Sequence, residues 1–327
     1  MRREGWHRAL DVQMDTLKWH KTDTGIRITE ATIWSLIGKG DLQTRPIGDL
    51  DDASLLMAKG LIETLWRADT IYITMEMLHL MLQAAHDLPE DATFDIHTLM
   101  SKFGFVLFEE PLQGADNHDN NVIINGLAWG VDRMAPTEEH PEPRDVIVIY
   151  FLVDPHDMRD DYNAEYMPKH IAELQRIGET FPPLNLVHMY PALDGSTVPT
   201  RYVPGAEIVR ETLKLFIAMQ LLSHQKIGTP IVMRPDRATR KRYAREHHGM
   251  PERMITLITL RRKSVKKDDE EPAKIEWSRR WVVRGHWRKQ WYPKSQTHDY
   301  VYIHDFIKGP EDKPLVITER RVFNFRR

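Results

Sequence analysis

Residues 279 to 293 read RRWVVRGHWRKQWYP and hold four arginines, one lysine, one histidine and three tryptophans. A little further on, DYVYIHDFIK (299 to 308) adds Tyr300, Tyr302, His304 and Lys308. These residue types suit cleavage of an RNA phosphodiester through its own 2′-hydroxyl, without a metal. One group must take the hydroxyl proton, another must protonate the leaving oxygen, and fixed positive charge must face the phosphorane. Histidine serves the first two needs because it titrates near neutrality, and Arg or Lys serves the third. His286 and His304 are therefore the acid and base candidates. Arg284, Arg288 and Lys308 are the candidate phosphate clamp, and Tyr302 is a candidate donor. Binding alone needs the same types, cations for phosphates and rings for bases. Its candidates are Arg280, Trp291, Tyr292, Lys294, His298 and Tyr300. A noncatalytic nucleic-acid-binding regulator is thus the competing reading, and a module whose basic end docks on an acidic protein is a third.

Strand alternation is what would position these groups. In a strand over 280 to 289, Arg280, Val282, Arg284, His286 and Arg288 share one face, and Trp281, Val283, Trp287 and Lys289 the other. In 299 to 308, Tyr300, Tyr302, His304, Phe306 and Lys308 line up against Val301, Ile303 and Ile307. Antiparallel pairing across the loop WYPKSQTH is expected to set the Arg/His face beside the Tyr/His/Lys face. PLVITERRVFNF (314 to 325) offers a third strand. The mixture resembles, in residue type, that of the metal-independent ribonucleases of the barnase and RelE kind, which also use an antiparallel sheet.

Charge points the same way. Over the 327 residues the formal net charge is −3, but residues 231 to 327 hold 25 Lys+Arg against 13 Asp+Glu, and residues 1 to 230 hold 20 against 35. A basic end on an acidic chain fits an anionic partner, RNA or DNA; mutual neutralisation across an internal interface is the plainer alternative. RPDRATRKRYAREHHG (234 to 249) reads as a basic helix capped near Asp236, with Arg240 and Arg242 as further phosphate contacts. Arg242 and His247 share the spacing of the Arg/His pair of HEPN ribonucleases, but two residue types at one spacing occur often by chance, and a solvated linker helix is the plainer reading. The expected division is an acidic α/β region, 1 to 230, and a basic antiparallel module, 231 to 327.

The acidic region reads as mixed helix and strand. Apolar residues at helical spacing mark ASLLMAKGLIETLWRA, MEMLHLMLQAAH after Thr74, and 205 to 226; a further helix is expected around His170 to Ile177. FGFVLFEEP, NVIINGLAWGV, DVIVIYFLV and NLVHMY read as strands, the third buried on both faces, and MITLITLRR (254 to 262) as another. The fold class is α+β. DNHDNN (116 to 121) lacks a ligand spacing and reads as a polar loop, while His79 and His86 are seven residues apart, not the four that let a helix chelate. Met75, Met77 and Met81 read as core filler. No metal site and no cofactor is expected. Zero cysteines exclude disulfides and thiolate chemistry. No run approaches the roughly eighteen apolar residues of a membrane span, and MRREGWHRALDVQ lacks a secretory pattern, so no membrane association and a cytoplasmic protein are expected.

RWVVRGHWRKQWYPKSQTH followed by KGPEDKPL resembles the end of a family of uncharacterised actinobacterial and actinophage proteins, in which RGHWRxQWYP precedes KGPEDxPL. GFVLFEEP and LAWG resemble the same family more loosely. The resemblance implies a bacterial or phage source and carries no activity with it.

Overall fold

The structure is a computed structural model that describes residues 5–36, 52–89, 92, 96–115, 121–134, 141–155, 176, 178, 182–194, 207–225, 228–246, 252–260, 279–294, 296–310 and 313–316. Among them it holds six α-helices, one seven-stranded mixed sheet and two small sheets, an α+β fold. The helices are α1 (Ala9–His20), α2 (Asp23–Leu36), α3 (Asp52–Arg67), α4 (Met75–His86), α5 (Glu207–Ser223) and α6 (Arg237–Glu246). The large sheet comprises β1 (Asp69–Ile73), β2 (Phe103–Ala115), β3 (Asn121–Met134), β4 (Arg144–Val153), β5 (Asn185–Asp194), β6 (Gly228–Met233) and β7 (Ile255–Leu260), in the order β5-β4-β3-β2-β1-β7-β6. Its centre is parallel: β1 lies between β2 and β7, which run in its direction. The remaining pairs are antiparallel. Helix α4 makes the crossover from β1 to β2 that a parallel pair requires.

Helices cover both faces. On one, Leu10, Met14, Ile33, Leu61 and Leu65 of α1 to α3 meet Tyr72, Phe105, Tyr150 and Leu152. On the other, Met77, Met81, Leu213 and Phe216 of α4 and α5 meet Ile71, Val106, Ile147 and Phe151. Strand β4 therefore contributes alternate residues to two cores, which is why DVIVIYFLV reads as an unbroken apolar run. The α4 start bears out the expected boundary, with an added device: Glu109 of β2 accepts the Met75 N–H at 2.7 Å, a carboxylate at the positive end of the helix. Met77 and Met81 are core, whereas Met75 is exposed.

Several expectations are corrected. The boundary at 230/231 falls inside β6, and β7 sits between β1 and β6, so the basic part supplies β7 and half of β6 to the acidic region's sheet. Helices α1 and α2 and strands β1 and β6 were not legible as elements. The basic helix runs from Arg237 to Glu246, and Asp236 caps it by accepting the Ala238 and Thr239 N–H groups at 2.7 and 2.9 Å. The helix expected over His170 to Ile177 falls outside the described residues apart from Arg176, as do His247 and all of DNHDNN except Asn121. No helix among the described residues is long and apolar enough to cross a membrane.

Candidate functional site

The cationic segment forms a long bent hairpin. Strands β8 (Arg280–Val283) and β9 (His286–Tyr292) run antiparallel to β10 (Thr297–Ile303) and β11 (Phe306–Lys308) in one unbroken register, from Trp281 opposite Lys308 to Tyr292 opposite Thr297. The strand expected over 280 to 289 is interrupted at Arg284–Gly285, and its partner at His304–Asp305. Gly285 is needed there because an added Cβ would lie 2.3 Å from the Tyr302 hydroxyl. The turn is tighter than the expected eight-residue loop, since Trp291 and Tyr292 pair with His298 and Thr297, and Gln296 takes a positive φ of 54°. Strand β12 (Leu315–Val316), the described part of the third strand, lies parallel to β8.

One face of the hairpin is committed to the core. Trp287 donates Nε1–H to the Ala84 carbonyl at 2.7 Å, and its ring packs edge-on against Tyr302 at 5.2 Å and Tyr300 at 6.5 Å. Gln225, just beyond α5, behaves as one rung of a strand. Its Nε2 donates to the Tyr300 carbonyl at 3.0 Å and its Oε1 accepts the Tyr302 N–H at 2.9 Å. Lys289 lies 5.6 Å from the Tyr300 ring centre, a cation over an aromatic face.

This register corrects the expected pairing of faces. Residues opposite one another share a face of the sheet, so Tyr300 and Tyr302 go with Lys289 and Trp287, while Arg288 and His286 go with Val301 and Ile303. The residue facing His286 is Ile303, not His304. Both histidines are exposed, and each places Nδ1 near a backbone carbonyl of its own strand break, His286 by Arg284 at 3.0 Å and His304 by Asp305 at 2.7 Å. Tyr302, the candidate donor, is 1% exposed, and burial pushes its hydroxyl up to about 12. It is a core residue of the hairpin's docked side.

The other candidates divide in the same way. Arg284, Arg288, Lys294, His298 and Lys308 are exposed. Trp291 and Tyr292, at the tip, are 43% and 41% exposed, with Trp291 tilted against His298 at 4.7 Å. Arg280 is half-buried and donates Nε–H to the Lys313 carbonyl at 2.8 Å, which holds β12 against β8. Arg240 donates to the Pro235 carbonyl at 3.1 Å and pairs with Glu252. Arg242 holds Asp15 with two nitrogens, Asp11 at 3.4 Å and Glu246 at 3.0 Å; the Asp15 bonds lead in raising its pKa. These last two arginines tie α6 to its surroundings, and in α6 the acidic and basic parts do neutralise one another. Gln225, Ala84, Asp11 and Asp15 carry no local signal in the sequence, because their partners lie far along the chain.

No family model and no curated protein matches the chain. Among solved structures it is similar to the crystal structure of AcrVA2, with a TM-score of 0.41 and 14% identity over 92% of this chain and 94% of that one.

Proposed function

We propose that the chain binds nucleic acid through the outward face and tip of its C-terminal hairpin, as a regulator or interaction protein with no cleavage chemistry of its own. The supporting observation is the division of the hairpin. Trp287, Tyr300 and Tyr302 secure one side to α4 and α5, and Arg284, His286 and Arg288 are left exposed beside two half-exposed rings. Exposed arginines supply phosphate contacts, and exposed rings supply base contacts. Binding is favoured over cleavage because a general acid and a general base must both reach the reacting oxygens. With Ile303 opposite His286 and Tyr302 in the core, the expected acid/base set does not converge.

The test is fluorescence anisotropy with labelled RNA and DNA, in EDTA, for the full chain and for the Arg284→Glu/Arg288→Glu variant. The variant is expected to keep its circular dichroism and to lose at least about tenfold in affinity at low salt, with a shallower salt dependence. Equal binding by variant and parent would remove the hairpin from the reading. RNA cut in EDTA to a 2′,3′-cyclic phosphate would restore the chemistry, with His286→Ala then identifying the acid or base.

A further inference from the structure

Resting on that reading, we propose that the hairpin's ligand is a single strand, its phosphates tracked by β9 and its bases laid against β10 and the tip. Alternation puts His286, Arg288, Gln290 and Tyr292 on the outward face of β9, with Arg284 just past the Gly285 break. Successive members of that row stand about 6.8 Å apart, twice the strand rise. An extended polynucleotide spaces its phosphates on that scale along a line, whereas duplex phosphates wind away from a straight row. Arg284 and Arg288, with the His286 imidazole between them, can then meet successive phosphates of one strand.

The neighbouring strand offers a different surface. Opposite His286 and Arg288 on the same face stand Ile303 and Val301, both partly exposed, and past the break Ile307 and Val282 are 53% and 45% exposed. A backbone lying over His286 and Arg288 therefore brings its unpaired bases over Ile303 and Val301, about 5 Å to the side, the distance between paired strands; Asp299, opposite Gln290, ends this apolar stretch towards the tip. Tyr292 stands on this face beyond Gln290 and Asp299, and Trp291 extends the ring surface round the tip. In a duplex those base faces are already stacked and paired, so neither the aliphatics nor the rings gain a contact. Entry of the hairpin into a duplex groove, the other use of a two-stranded ribbon, is opposed by its attachment: Trp287 is bonded to α4, and Gln225, just beyond α5, to Tyr300 and Tyr302.

The experiment compares the intact chain's affinity for oligouridylate, oligothymidylate and a hairpin duplex, each of about twelve nucleotides or pairs, within the usual site sizes. Polyglutamate serves as the acidic-polypeptide probe. Single strands are expected to bind at least about tenfold tighter than duplex, with a log–log salt slope of about −1.4 for the two arginine–phosphate contacts. The two single-stranded arms separate RNA from DNA. Tyr292→Ala is expected to weaken single-strand binding about fivefold or more, and to leave weak duplex binding unchanged. Duplex bound as tightly as single strands would overturn this inference and leave the nucleic-acid reading standing. Polyglutamate bound with no polynucleotide bound would overturn both, and assign the face to an acidic protein.

Discussion

His20 should make this protein sensitive to mild acid. It ends α1 with no exposed surface, and its Nδ1 lies 2.7 Å from the Thr29 hydroxyl oxygen. That hydroxyl already donates to the Gly25 carbonyl at 2.8 Å, so the oxygen accepts and Nδ1 carries the proton. Nε2 is buried and makes no hydrogen bond of normal geometry, although the nearby Leu184 backbone partly offsets the penalty for charging it. Burial is the dominant effect and lowers the pKa from 6.5 to about 4. In the unfolded chain the ring takes up its proton near pH 6.5 and in the folded chain only near 4, so unfolding binds a proton between them. The stability contribution is complete above about pH 6.5 and is lost as pH falls towards 4. The full difference is about 3 kcal/mol, of which about 2 kcal/mol is gone by pH 5. With an m-value of about 3 kcal/mol per molar, the urea midpoint should drop by roughly 0.7 M between pH 8 and pH 5. Asp236 and Glu252 have lowered pKa values and act in a more acidic window, so they leave this one clear. The control is His20→Asn, whose amide can replace the Nδ1–H donor without titrating. Tryptophan fluorescence in urea should show its midpoint nearly flat over that range. Parallel loss of stability in parent and variant would refute the assignment.

Two further outcomes follow from the packing. Gly104→Ala should cost about 3 kcal/mol or more in urea unfolding, because its Cβ would stand 2.1 Å from the Trp129 indole, itself wedged against Phe216 at 5.3 Å; a loss below about 1 kcal/mol would mean the ring has room to move. Arg242→Ala should cost about 1–2 kcal/mol, discounted for the partial exposure of Asp15, and the loss should shrink in high salt; an unchanged midpoint in low salt would show that the α1–α6 ion pairs carry no net stability.

The helices α3 and α4 and the strands β2 to β5 were legible because their apolar residues keep one period, 3.6 or 2, or fill a short run. Helix α1 was hidden by its own chemistry. Its buried face includes Gln13, Thr16 and His20, which break the apolar spacing of Leu10, Met14 and Leu17. Gln13 belongs there because it donates to the Leu65 and Ala68 carbonyls, both at 2.9 Å, where α3 gives way to β1. A polar residue serving a distant helix end looks local only once the fold is known. Arg240 and Arg242 misled for the same reason: their composition is that of a phosphate-binding arm, and the carboxylates that engage them lie elsewhere in the chain.

The hairpin shows most sharply where sequence reading stops. Alternation placed each strand's residues on correct faces, Tyr300 with Tyr302 and His286 with Arg288, but which pair of faces coincides depends on register. A slip of one residue inverts that choice. The slipped register would set His304 opposite His286, the arrangement an acid/base pair wants. It would also turn out of the α4–α5 layer either Trp287, with its bond to Ala84, or the two tyrosines, with the Gln225 bonds to Tyr300 and Tyr302. Burying a large apolar side chain is worth about 1.5–3 kcal/mol, so the loss of either the anchored tryptophan or the two tyrosines outweighs any preference the exposed histidines could exert. The same consideration fixes what an insertion would do. One residue added after Lys294 should be taken up in the turn, leaving Trp287 opposite Tyr302, because the strands are held by what lies beneath them and not by the loop that joins them.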